Sequence, residues 1–175
     1  AANEIDPNIA VVKQQIGNYL AEQGDFVLAL RYLMAAVELE PKVAVYHYQI
    51  GLLLDHFRDP LLEKTELTQS ALERNLLDAF RQAVVLAPQN RQFRVRYAEA
   101  FFDVDRPDWF QALRQWEKLA EAPESDVQAQ LIALQRARVL VELDRHDDAR
   151  AALAGVDRPS LASLKAELLA RIAAE

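Results

Sequence analysis

The sequence predicts an all-α fold of paired helices stacked lengthwise, and three observations carry that expectation. Small and apolar residues recur at a 34-residue interval, Ile16-Gly17-Asn18-Tyr19-Leu20 being matched by Ile50-Gly51-Leu52-Leu53-Leu54. The stretches that follow close alike, as Leu39-Glu40-Pro41 and Leu86-Ala87-Pro88. Apolar residues make up 51% of the 175, with Ala and Leu dominant and only 4 Gly, which supplies a core and favours helix over sheet.

The first unit spans residues 7–41. Gly17 lets two helices approach closely, Gly24-Asp25 turns the chain, and Ala29 and Ala36 keep the second helix slim. Leu33 is expected to fill the space between units. Pro41 lacks the amide hydrogen that a continuing helix needs and restricts Glu40 before it, so the helix stops there.

The second unit, 42–88, repeats this with Gly51, Phe80, Ala83 and Pro88 but carries 13 extra residues between Asp55 and Leu72. Asp59-Pro60 reads as an N-cap followed by a first-turn proline, and Thr65 as a second cap. The second helix is therefore expected from near Glu66 to Leu86, with Pro60–Lys64 crossing its end. The insertion either carries contacts or is a tolerated loop extension; both readings stand at this point.

The third unit, 89–124, has Tyr97-Ala98 and Phe101 on its first helix and Ala112, Trp116 and Leu119 on its second. A small insertion, Arg106-Pro107, precedes Trp109-Phe110, which are expected in the core. The fourth unit, 125–157, offers Ala137, Leu140, Ala149, Leu153 and Val156, but Arg136 stands where the others have an apolar residue. Residues 160–174 then form an amphipathic helix, capped by Ser160, with Leu161, Leu164, Leu168, Leu169 and Ile172 on one face. It can cover the open end of the stack, all within a single domain.

This spacing of small residues, large apolar residues and closing prolines resembles the tetratricopeptide repeat (TPR). The resemblance covers residues 7 to about 157 and implies a right-handed superhelical solenoid of about four helix-turn-helix units plus the C-terminal capping helix. It also implies a concave groove lined by first helices, at positions three before and one, four and five after each small residue. Those positions are Gln14, Asn18, Ala21 and Glu22 in the first unit and Tyr48, Leu52, Asp55 and His56 in the second. In the third they are Val95, Glu99, Phe102 and Asp103, and in the fourth Leu134, Arg138, Val141 and Glu142. An apolar floor of Tyr48, Leu52, Val95, Phe102, Leu134 and Val141 with a charged margin suits an amphipathic helix or extended segment of a protein partner.

Some members of the family clamp the C-terminal carboxylate of heat-shock chaperones with two Lys, two Asn and an Arg. Asn18 and Arg96 match that set, but Gln14 and Gln92 stand at the lysine positions and Gln49 at the second Asn. Such binding is not expected here.

The remaining chemistry is sparse. With no Cys, thiolate metal sites and cysteine nucleophiles are excluded. Of His47, His56 and His146, the last two fall beside acids at helix turns, where surface residues of these types are common, so neither a metal nor a cofactor is expected. No Gly-rich phosphate loop, Gly-x-Ser-x-Gly elbow or His-Glu-x-x-His run occurs, and no enzyme is expected.

Asp and Glu outnumber Lys and Arg 27 to 20, a net charge of −7, which disfavours nucleic acid. The excess is larger in residues 1–88, with 12 acids against 7 bases. Arg91, Arg94 and Arg96 form the one tight basic group, which Glu99 and Asp103 on the same helix would offset. No apolar run approaches the ~18 residues that a membrane span needs. The chain opens at Ala1, as a trimmed or processed chain would, and cytoplasm and bacterial periplasm are both compatible with it. The expectation is a protein-interaction scaffold, with a self-associating structural subunit of a larger assembly, such as one of the cell envelope, as the alternative and a homo-oligomer allowed.

Overall fold

The computed structural model describes residues 9–174; the expected start of the first unit at residue 7 lies outside them. Among the described residues there are ten α-helices, two short 3-10 turns and no strand. The chain forms two compact bodies, one ending at Ala100 and one beginning at Phe101.

In the first body, α1 (Ala10–Glu22) pairs with α2 (Phe26–Leu39). Gly24 turns the chain with φ +82°, a conformation that a side chain disfavours, and Asp25 caps α2 by accepting from Leu28 N at 3.3 Å. Helix α2 stops at Leu39, one residue short of the pre-proline Glu40.

The next pair is α3 (Ala44–His56) with α5 (Gln69–Leu86), and α6 (Arg91–Ala100) packs on α5. Both pairs are locked by a glycine. A Cβ on Gly17 would lie 2.9 Å from Leu33 Cγ, and one on Gly51 only 2.6 Å from Phe80 Cε1. Leu33 and Phe80 are therefore more than filler between units: each presses on the glycine of its own pair. Phe80 also reaches onward, with the Arg96 guanidinium 4.9 Å from its ring centre.

The insertion is helical. Helix α4 (Arg58–Lys64) buries Leu61 completely, Phe57 before it stacks on Phe26 at 5.2 Å, and the Lys64 ammonium lies 4.7 Å from the same Phe26 ring centre. Two local expectations are corrected. Pro60 is in the first turn, but the helix opens at Arg58, and Phe57 rather than Asp59 is its N-cap residue. Thr65 closes α4 instead of opening α5: its hydroxyl donates to Leu61 O at 2.6 Å and accepts from Leu67 N at 3.2 Å. The opening cap of α5 is Thr68, which accepts from Ala71 N at 3.2 Å, so α5 starts at Gln69 rather than near Glu66.

The second body opens with a 3-10 turn, Phe101–Asp103, and continues as α7 (Trp109–Ala120), α8 (Asp126–Glu142) and α9 (His146–Ala154). Asp108 caps α7 and Ser125 caps α8. Trp116 and Leu119 are buried, and Trp109 sits 5.8 Å from Phe102, but Phe110 is exposed, contrary to the core position expected for it. Ala137, Ala149 and Leu153 are buried in the α8–α9 pair.

A 3-10 turn, Pro159–Leu161, leads into α10 (Ala162–Ala174), which packs on α8 and α9. The backbone of the link before that turn is stitched to α8 by one side chain, and an Arg158–Asp126 ion pair at 3.2 Å adds a second tie. Gln130 Oε1 accepts from Asp157 N at 3.0 Å and Arg158 N at 3.1 Å, and its Nε2 donates to Asp157 Oδ1 at 2.8 Å. Helix α10 is held by Lys165, which donates to Val156 O at 2.7 Å, and by an Arg171–Glu142 ion pair at 2.9 Å.

Candidate functional site

In the first body the exposed side of α1 and α3 forms a hollow of about 460 Å³. Six of the residues expected along the groove line it: Asn18, Ala21 and Glu22 from α1 with Leu52, Asp55 and His56 from α3. They converge because positions one, four and five after Gly17 and Gly51 lie on one stripe of each helix, and the glycines bring the helix pairs into register. Leu52 is 37% exposed and lines the hollow together with Asn18, Glu22 and Asp55.

Asp55 is fixed in place. It pairs with Arg96 of α6 at 2.6 Å and faces Arg58 at 3.8 Å. Arg58 reaches Glu73 at 3.6 Å, and Glu73, itself buried, accepts from Gln69 at 2.5 Å. This chain of charges ties α3, α4, α5 and α6 together and holds one wall of the hollow. Sequence spacing showed Arg96 near Glu99 but gave no hint of Asp55, a partner 41 residues away. His56 stands edge-on to Phe57 at 5.1 Å.

Other expected positions fall elsewhere. Gln14, Val95 and Glu99 belong to the first body without lining the hollow. Tyr48 is buried, stacked on Phe93 at 4.4 Å and tilted against Phe80 at 5.7 Å. Burial raises its pKa above the usual tyrosine value, with Glu99 adding to the rise while a hydrogen bond with Gln92 and the Arg96 charge lower it. In the second body Leu134 and Val141 are buried, at 0% and 2% exposure, so neither offers surface to a partner. Arg138 and Phe102 engage each other, the guanidinium 4.0 Å from the ring centre.

Among the described residues, no group of three His, Asp or Glu is gathered as a metal would require. No helix there is long and apolar enough to cross a membrane. His47 Nε2 is 2.8 Å from Pro41 O.

By sequence, no family model matches the chain and no curated protein does. Solved structures do. The crystal structure of YrrB, described as a TPR protein with an unusual peptide-binding site, superposes with a TM-score of 0.63 over 95% of this chain and 86% of YrrB, at 16% identity. The fold is the TPR fold. Two crystal structures of MamA match comparably, with TM-scores of 0.60 and 0.63 at 15% and 14% identity, covering 97% and 94% of this chain and 84% and 88% of theirs. Helices α1 and α2, α3 and α5, and α8 and α9 pack as pairs, and α4 lies between the two members of the second pair along the chain.

Proposed function

We propose that this chain is a non-catalytic interaction module that takes a peptide or helical segment of a partner protein against the first-helix face at Leu52. The observation that carries the reading is the hollow itself. An exposed leucine sits among Asn18, Glu22 and Asp55, so an apolar anchor and polar rim occur together on pre-fixed elements. YrrB, of like fold, has a peptide-binding site described as unusual, which supports a peptide as the class of ligand. Glu22 and the acid excess of residues 1–88 favour a partner segment with basic residues, and disfavour nucleic acid.

The test is affinity capture from the native cell extract with wild type and Leu52→Glu. Leu52 is the apt position because its side chain is exposed, whereas a charge at Tyr48 would fall in the core. The captured partner should fall at least about tenfold in yield, since truncating or charging a central anchor costs on the order of 2 kcal/mol. An undiminished partner band, with helix content unchanged by circular dichroism, refutes the assignment. Recovery of a second copy of the chain alone, with concentration-dependent light scattering, supports self-association instead.

A further inference from the structure

A second hollow, of about 500 Å³, lies between α2 and α5 and shares no residue with the first. Its floor is the other side of α3: Ile50 and Leu54 face it, while Gln49, Leu52 and His56 face the first hollow. At 100° per residue those two sets point in opposite directions. We propose that this hollow docks a partner segment presenting an apolar side chain with a lysine or arginine one helical turn away. The proposal concerns a different face and does not rest on the function proposed above.

Three features argue for it. First, the lining is apolar and concave, with Leu30, Met34 and Val37 from α2, and Met34 is 49% exposed at its mouth. A volume in this range accepts a ligand or an anchoring side chain, and the unbranched thioether of Met adapts to different shapes. Second, the insertion supplies a wall. Leu67 lines the hollow from the link between α4 and α5, and that link is held at both ends, by Thr65 accepting from Leu67 N and by Thr68 capping α5. The tight turn of the first repeat has no residue to place there.

Third, the rim is acidic. Glu38 on α2 and Asp78 on α5 line the hollow, and no Lys or Arg does. Asp78 is engaged by Arg81, whereas Glu38 pairs with no basic side chain among the described residues. An incoming cation would pair with Glu38, which stands exposed at the edge of the apolar pocket.

The experiment uses the whole chain and a displayed library of random peptides, selected on wild type and counter-selected on Met34→Glu. Met34 is the only methionine, so its isotope-labelled methyl group reports on this hollow as a single resonance. Recovered peptides are expected to combine apolar residues with Lys or Arg, and to shift the Met34 methyl signal saturably. They should bind Met34→Glu at least about tenfold more weakly, and Glu38→Lys about fivefold more weakly. A peptide with Glu in place of its basic residue should recover binding on Glu38→Lys. Leu52→Glu should leave all of this unchanged. The milder Met34→Gln, with helix content matched to wild type, guards against loss of fold. The proposal is overturned if no peptide discriminates wild type from both Met34 variants, or if the recovered peptides are indifferent to Glu38→Lys. A Met34 signal that moves when the chain alone is concentrated overturns it too, in favour of a second copy.

Discussion

The α1–α2 and α3–α5 pairs place a glycine of the first helix under a bulky side chain of the second, yet they use different parts. Over Gly17 the bulky group is Leu33, whose nearest atom would stand 2.9 Å from an added Cβ. Over Gly51 it is Phe80, three of whose ring carbons would stand within 2.9 Å. Within its own pair the phenylalanine also meets Tyr48, and beyond the pair it carries Arg96 of α6 on its face. The connections differ as well, a tight Gly24 turn in one and a whole helix in the other. The comparison teaches that the contact between paired helices is the fixed requirement, and that the connection is free to be elaborated. A long connection adds little closure entropy, so it can grow a structure of its own.

The largest test of that comparison is truncation of the two bulky groups. Phe80→Ala should destabilise by about 3–5 kcal/mol and Leu33→Ala by about 2–4 kcal/mol, both by opening a cavity in a fully packed site. Urea unfolding followed by circular dichroism measures both; equal losses would mean that the onward contacts of Phe80 add nothing.

Filling the glycines is the next test. Gly51→Ala should destabilise by about 2 kcal/mol, because a rigid ring cannot yield and the overpacking exceeds the ~1 kcal/mol gained in helix propensity. Gly17→Ala should destabilise by only about 1 kcal/mol, since a branched aliphatic chain can rotate aside, though Ala29 O at 3.2 Å remains close. Combining Gly51→Ala with Phe80→Leu should recover part of the loss, and a failure to recover any would show that the ring is not the obstacle.

The smallest effect is expected at the turn. Gly24→Ala meets no atom within 4 Å, so only its positive φ resists, at about 1 kcal/mol. A loss as large as that of Gly51→Ala would overturn the distinction between a packing glycine and a turning glycine.

Much of this was legible in the chain itself. Gly17 and Gly51 mark where α1 meets α2 and α3 meets α5, because at each a Cβ would collide with the facing helix. Side-chain facing was less legible. Asn18, Leu52, Asp55 and His56 do converge, but Tyr48, Leu134 and Val141 occupy positions equivalent by spacing and are buried. Helix α8 has Ile132, Leu134, Val139, Leu140 and Val141 all buried, on several sides, and a helix apolar around much of its circumference gives no periodic signal as to which side meets solvent. The boundary of α5 was missed for a different reason. Thr65 and Thr68 are chemically equal caps, and only the carbonyl of Leu61, delivered by the folded α4, decides that the first of them ends a helix rather than starting one.

The Gln130 stitch bears on how the far end of the chain behaves. One amide group fastens the backbone at Asp157 and Arg158, and only the short turn Pro159–Leu161 separates that fastening from α10. Should α10 lift off, it stays on a leash of three residues anchored to α8. Its re-docking is then an intramolecular event at high local concentration, and a competitor for the vacated surface must outpace a helix that has barely left.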